Sequence, residues 1–536
     1  MLWGKLIDHD KCIGCHACSV ACKSENEVPL GSFRTWVKQV EKGEGLSARR
    51  HFGVLRCNQC EDAPCVSICP TGAMHRLPNG IIDFENEICI GCKACIQACP
   101  YDAIYMDPES NTAAKCNFCA HRIEQNLEPA CVAACPTGAL VVSDLEDPDS
   151  PVAKAAARSA TSVRKPELGT RPKVFYKGAD QSVLDPRAAS RPLQGYWGAS
   201  RGGCGPMQLP VAGESDSIDE TPKGSGAPAA ARVAYDVPRE GAPWGSKISA
   251  YLLTKSIGAG AMMAGGLGLL LAGDAPQMKV GLLPALLGFI FLNLTSLFLV
   301  ADLRRPERFM LLILKGRMES WLVKGAYVLL GAVGLSAIWG IAAVSGWTWT
   351  PNAWHAVGLA AVLAGGAAAG YTAFLFGQAR GRAFWQSPVL LPHLVIQAVV
   401  AGCAALAIGY AVIDTIAPGS TLVLQARLLA LGKLMTIGLV VNGLMVMGEL
   451  SSHSNQDARL ASKWISEGPG SNTLFWGVFV LGHIAPIVAL TLGLMVPEQG
   501  AASTLFAIPI AGGASLVGLF LWDDLYVRAG QVPALS

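Results

Sequence analysis

Beyond residue 135, cysteine all but disappears from this 536-residue chain: only Cys204 and Cys403 occur there. Two isolated thiols exclude a disulfide framework in that stretch, and a small buried residue is the default reading of each. The front of the chain lacks the opposite feature. No apolar run long enough to cross ~30 Å of hydrocarbon begins before about Ser249. Charge of either sign is not in excess either, since the formal net charge is +2, which excludes a global polyanion-binding surface. The opening MLWGKLIDHDKC has no basic stretch leading into an apolar one and no twin arginine, so no export signal is expected. The glycine phrase RGGCG (201–205) has neither a strand before it nor an acidic partner after it, which excludes a dinucleotide fingerprint. Residues 1–150 offer no pocket-like constellation for a small substrate.

What is present is uneven, and the mean hydropathy of +0.37 averages two chemically different halves. Sixteen of the 18 cysteines lie between residues 12 and 135. They fall into four groups: Cys12, Cys15, Cys18, Cys22; Cys57, Cys60, Cys65, Cys69; Cys89, Cys92, Cys95, Cys99; and Cys116, Cys119, Cys131, Cys135. The first and third have the C-x2-C-x2-C-x3-C spacing of bacterial ferredoxins, in which the fourth cysteine serves a second cluster. The other two keep that frame with a longer middle. The phrases CPTGAM (69–74), CPYDAI (99–104) and CPTGAL (135–140) repeat the close of a group, each predicting a short helix stopped at Cys-Pro and followed by a strand. Thiolate is a soft ligand suited to iron–sulfur cubes, and sixteen of them suffice for four [4Fe-4S] clusters. Structural zinc also uses C-x2-C pairs, but it explains neither the third cysteine nor the Cys-Pro in a fourfold repeat. Two ferredoxin modules in an α+β N-terminal domain form a wire, and a wire needs a donor and an acceptor at its ends.

Residues 176–245, rich in Gly, Pro, Ser and Ala, read as an arm or linker between an N-terminal domain (1–175) and a membrane domain (246–536). Apolar segments near 249–272, 280–301, 322–345, 354–376, 389–413, 422–447, 473–496 and 504–525 predict an all-α membrane domain of about eight spans. An even number returns both ends to one side. On that side fall Arg239, Lys247, Arg304, Arg305, Arg308, Lys315, Arg317, Lys324, Arg380, Arg382, Arg459, Lys463 and Arg528. Only Lys279 and Arg427 fall on the other. The positive-inside rule therefore predicts a cytoplasmic cysteine domain on the cell's inner membrane. A rival cause is that some of these arginines hold a partner or an anionic quinone site.

Residues 1 to about 175, through VVSDLEDPDSPVAKAA (141–156) and KPELGTRPKVFY (165–176), resemble the iron–sulfur subunit of the dimethyl-sulfoxide reductase family of molybdopterin oxidoreductases. Residues 245–525 resemble the polysulfide reductase/NrfD-type membrane subunit through ADLRRPERF (301–309), YTAFLFGQ (371–378), FWQSPVLLPH (384–393) and GEL (448–450) followed by FWGVFVLGHIAPIV (475–488). The sequence looks like a fusion of two usually separate subunits. The resemblance implies a cluster pairing, with groups one and four together and two with three. Cluster 1 would take Cys12, Cys15, Cys18 and Cys135; cluster 2, Cys116, Cys119, Cys131 and Cys22; cluster 3, Cys57, Cys60, Cys65 and Cys99; cluster 4, Cys89, Cys92, Cys95 and Cys69. It further implies a partner subunit carrying a molybdenum or tungsten bis-pterin, and exchange of electrons with menaquinone or ubiquinone. The alternative partner is a hydrogenase or a redox-driven ion-pumping respiratory complex.

Ionisable groups in hydrocarbon need a reason. A quinone needs hydrogen-bond donors at its carbonyls and a proton source on reduction, so His393, Tyr251, Lys255, Tyr371, Glu449, Asp302 and Arg304 are candidates. Asp302 reads equally well as a structural ion pair with Arg304 and Arg305. His483 reads as a buried hydrogen-bonding histidine, and Lys433 as a snorkelling lysine. His393 and His483 differ in depth by about seven residues, roughly 10 Å along helices, so no haem is expected.

Overall fold

The computed structural model describes residues 1–158, 160–190, 231–237, 243–272, 278–345, 350–416, 421–451, 455–495 and 501–536. Cys204 and Arg239 lie outside them, as does most of the arm.

In the cysteine-rich half, each group contributes a short helix holding its third cysteine. Cys18 lies in Ala17–Glu25, Cys65 in Pro64–Ile68, Cys95 in Ala94–Ala98 and Cys131 in Ala130–Ala133. Proline cannot continue a helix without losing a hydrogen bond, and Pro70, Pro100 and Pro136 each lead on to a strand: Met74–Arg76, Ile104–Met106 and Leu140–Asp144. The helix of group one packs on that of group four, and the helix of group two on that of group three. This gives two pseudo-symmetric modules. A four-stranded sheet of order Leu140–Asp144, Trp3–Asp8, Val174–Lys177, Thr161–Ser162 closes the outer module, its two central strands parallel. A three-stranded antiparallel sheet runs Arg232–Tyr235, Thr35–Lys42, Arg49–Arg56. The strand Val174–Lys177 crosses the expected start of the arm, and the arm returns as Arg232–Tyr235 to pair with Thr35–Lys42. The stretch between 175 and 245 is therefore partly built into the cysteine-rich half.

Among the described residues, seven helices are long and apolar enough to cross a membrane, the first being Gly281–Asp302 and the last Phe506–Ala529. The eighth expected span is a continuous helix, Ser246–Ala272. Lys247, Lys255 and a run of Gly and Ala lower its apolarity. Its packing explains why that is tolerated: it lies against the helices Met278–Asp302, Pro351–Gln378, Leu390–Ile416 and Ala501–Ala529, so little of it needs to face lipid. Its start and the end of the last helix meet, since Gln531 Nε2 donates to Trp244 O at 2.8 Å. Both ends of the bundle therefore sit on one face, which requires an even number of crossings and makes Ser246–Ala272 one of them.

That face carries the cysteine-rich half. Trp244 Nε1 donates to Cys92 O (3.3 Å), Arg308 Nη1 to Cys89 O (3.0 Å), Ser320 Oγ to Ile68 O (2.7 Å) and Arg382 Nε to Gln97 Oε1 (2.7 Å). Gly91, at φ +67°, lets the Arg304 backbone come close enough to donate to its carbonyl at 3.3 Å. Several of the basic residues that mark this side thus also grip the protein's own cysteine loops, so their sidedness has a structural cause as well as a topological one.

Candidate functional site

Three cavities in the cysteine-rich half are each lined by four cysteines, drawn from the sets Cys69, Cys89, Cys92, Cys95; Cys57, Cys60, Cys65, Cys99; and Cys22, Cys116, Cys119, Cys131. In every case the fourth thiol comes from the partner group. The remaining set is gathered as well: the Cys12 thiol, pushed up by burial, also feels Cys18, Cys135 and Cys15. Among the described residues no three His, Cys, Asp or Glu side chains converge closely enough for a single metal ion. The thiols surround a volume instead of a point, which suits a cube of iron and sulfide better than zinc. Burial pushes the Cys22, Cys60 and Cys92 thiols up to about 12. Cys131 goes the other way: burial raises it, but Lys5 and Arg56 more than offset this and bring it down to about 6.

The sets differ in their surroundings. Cys15 is exposed, flanked by exposed Ile13 and Val20, whereas the set of Cys69, Cys89, Cys92 and Cys95 lies under the membrane-domain loops. Asp302 belongs to this junction. Its carboxylate pairs with Lys93 at 2.8 Å, both largely buried, and not with its sequence neighbours. The Arg304 side chain is exposed. Breaking such a pair strands a buried charge, so Asp302→Ala is expected to cost about 3 kcal/mol, read as earlier thermal loss of the junction. Lys93→Met together with Asp302→Leu is expected to recover most of it.

The other membrane candidates come together in two groups just inside this face. Tyr251 lies seven residues, about 10 Å of helix, past Trp244. Its hydroxyl is 2.7 Å from both Tyr371 Oη and Thr372 Oγ1. Lys255 Nζ donates to Thr372 Oγ1 at 2.8 Å and Ala369 O at 2.9 Å. Across the bundle, His393 Nδ1 is 3.0 Å from Glu449 Oε1, both fully buried, and Gln397 Nε2 donates to Asp523 Oδ1 at 2.8 Å. Asp523 is near enough to interact electrostatically with Lys255, His393 and Glu449, and so joins the groups. Gln397, Thr372 and Asp523 are additions that the sequence reading misses. An acidic side chain inside the predicted span 504–525 is the signal for Asp523; for Thr372 there is none. His393 Nε2, Asp523 Oδ2, Gln397 Oε1 and Tyr526 Oη are buried without a hydrogen-bond partner, a costly condition that a ligand with polar oxygens relieves. His483 has both nitrogens engaged, 2.8 Å from Val478 O and 2.9 Å from Asn442 Oδ1. Lys433 is exposed on the outside of the bundle.

Residues 237–533, more than half of the sequence, match the family model described as polysulphide reductase, NrfD. This protein belongs to that family. Ahead of the NrfD region, residues 49–145 match a 4Fe-4S dicluster domain and residues 3–24 a 4Fe-4S binding domain. A subunit of the tetrathionate reductase of Salmonella typhimurium is 44% identical over 188 residues, 34% of the present sequence and 75% of that protein. A component of the polysulfide reductase of Wolinella succinogenes is 43% identical over 176 residues, 32% of the present sequence and 92% of its own. The iron-sulfur subunit of the arsenate respiratory reductase of Shewanella sp. is 36% identical over 226 residues, 33% of the present sequence and 96% of its own. This NrfD-family protein is thus a multi-pass membrane protein with an iron–sulfur electron-transfer domain fused to its front.

Proposed function

We propose that the protein carries electrons between a catalytic partner subunit and a quinone held beneath the cysteine-rich half, as the electron-transfer and anchoring subunit of a membrane reductase complex. The observation that carries this reading is the junction itself: the innermost cysteine set docks on the end of the bundle at which the helices bearing the buried titratable side chains start or finish. The sixteen cysteines would hold four [4Fe-4S] clusters in the sets named above, which when bound supply one-electron redox sites needing no proton. The exposed end at Cys15, Ile13 and Val20 fits the docking of the partner, for which a molybdenum or tungsten bis-pterin subunit is the reading that the family resemblance implies. At the other end Tyr251, Lys255, His393 and Asp523 would bind quinone oxygens. The His393–Glu449 pair would exchange the proton that each added electron requires. Residues 1–190 with 231–237 act as the wire and 246–536 as the anchor. The basic loops favour a cytoplasmic wire on the inner membrane, and with catalysis there, quinone reduction by the partner's substrate.

The test is anaerobic purification with whatever accompanies the protein. About sixteen iron atoms per molecule, four per cube, with molybdenum or tungsten in the complex and cluster bleaching by a soluble quinol analogue, is the expected result. Clusters that neither a quinol reduces nor a quinone oxidises would sink the quinone assignment. Nickel in place of molybdenum would change the partner.

A further inference from the structure

The cavity lined by Cys22, Cys116, Cys119 and Cys131 differs from the others in its cations. Lys5, on the strand Trp3–Asp8, is 0% exposed, and Arg56, the last residue of Arg49–Arg56, is 1% exposed. Lys5 Nζ lies 3.3 Å and Arg56 Nη1 3.1 Å from Cys131 Sγ. Among the described residues neither pairs with a carboxylate, and Arg56 Nε and Nη2 have no partner at all. Phe118 closes the other side of Lys5, its ring centroid 5.0 Å from Nζ. Asn26 Nδ2 adds longer contacts, 3.8 Å, to the sulfurs of Cys22 and Cys119.

The other sets lack this arrangement. The lining of the Cys57, Cys60, Cys65, Cys99 cavity includes no basic residue; Lys115 and Lys173 act on Cys57 electrostatically, but Lys115 donates to the carbonyls of Ile82 and Cys116 and Lys173 to that of Gly80, not to a sulfur. Lys93, beside the innermost set, is neutralised by Asp302. The outermost set has an exposed cysteine and is screened by water. Cys18 of that set also feels Arg56, without a hydrogen bond from it.

We propose that Lys5 and Arg56 make the cluster held by Cys22, Cys116, Cys119 and Cys131 the most readily reduced of the four, the place where the protein stores an electron. This rests on the reading of the cysteines as ligands. Reduction adds one electron and no proton, so a negative charge appears in a dry volume beside two cations that no carboxylate among the described residues neutralises. The donor is a neighbouring cluster, oxidised by one electron. Charge–charge attraction in so water-poor a place is weakly screened, and hydrogen bonds to cluster sulfur raise the potential in the same direction. A resident electron also serves the chemistry at the ends: partner and quinone exchange electrons in pairs, while the wire passes them singly.

The experiment is a redox titration of the purified complex followed by electron paramagnetic resonance, with iron per molecule measured in each sample. Lys5→Gln and Arg56→Gln are each expected to lower the highest of the four midpoints by at least a factor of ten in its reduction equilibrium, 59 mV for one electron. Arg56→Lys, which keeps the charge, is expected to restore most of it. Full iron with an unmoved highest midpoint overturns the proposal, whereas iron far below four cubes in the wild type overturns the ligand reading instead. Should the neutral variants lose iron, Cys119→Ser decides. In protein reduced by one equivalent, the signal is expected to be altered or lost by that change, and an unaltered signal refutes the assignment.

Discussion

Gly402→Leu is expected to abolish the packed membrane bundle, and Gly260→Leu to do the same. These glycines mark where the helices Ser246–Ala272 and Leu390–Ile416 cross with backbone on backbone. A Cβ added at Gly402 would sit 2.0 Å from the Gly260 carbonyl carbon and 2.3 Å from Ala261 N, and one at Gly260 would sit 1.7 Å from Ala398 O. No rotamer relieves a clash with backbone, so the helices must part. Ordinary overpacking costs about 1–3 kcal/mol, and separating two central helices costs more, because small residues at the crossing are what let their backbones meet. The function is lost with the packing. Lys255 lies five residues before Gly260 on one helix, and His393 and Gln397 precede Gly402 on the other, so this crossing sets the two halves of the buried site against each other. The checks are yield of monodisperse protein in detergent, thermal unfolding and quinone turnover. Gly331→Leu is the control, since Gly331 is exposed and nothing lies within 4 Å of its added Cβ; it is expected to be neutral. A Gly402→Leu protein with native stability would refute so close a crossing.

Both the cysteine modules and the bundle are legible in the sequence because their signals are local. A C-x2-C pair, a Cys-Pro stop or twenty apolar residues fixes its meaning within a short window. What escapes depends on contacts between distant parts of the polypeptide. Lys5 and Arg56 reach Cys131 from two strands far away in sequence, and no spacing links them. Sequence proximity pairs Asp302 with Arg304 and Arg305, but the closer charge in space is Lys93, carried there by docking of the third cysteine group onto the helix end. The helix Ser246–Ala272 is found by its apolar pattern in spite of Lys247, Lys255 and its glycines, and its packing says why they are tolerated: a helix enclosed by its neighbours can carry lysine and glycine where a lipid-facing one cannot. The strand Arg232–Tyr235 sits in a segment whose composition reads as linker, and only its pairing with Thr35–Lys42 gives it structure.

Glu449→Gln and His393→Ala are each expected to slow quinone turnover by roughly 10²–10⁴-fold, the range for loss of a positioned proton donor or acceptor. The need for such a group follows from stoichiometry. A quinone reduced to quinol takes up two electrons and two protons, and iron–sulfur clusters deliver only electrons. Protons must come through side chains at a site that the bundle closes off on most sides. His393 and Glu449 are fully buried in contact with each other, and His393 Nε2 remains free to face a ligand. Glutamine keeps the shape and hydrogen-bonding capacity of Glu449 but cannot exchange a proton, so the expected loss is in kcat with KM little changed, as for an interaction made only in the transition state. Asp523→Asn tests the same chemistry from the last helix, where the carboxylate holds Gln397 and faces Lys255; a loss of similar size is expected if it shares the proton path, and a rise in KM alone if it only positions the ring. Iron content and the four cluster midpoints are expected to stay as in the wild type for all three variants, which separates a fault in proton delivery from a broken wire. Full turnover in Glu449→Gln would remove the pair from the mechanism and leave Tyr251, Lys255 and Tyr371 as the groups to test next.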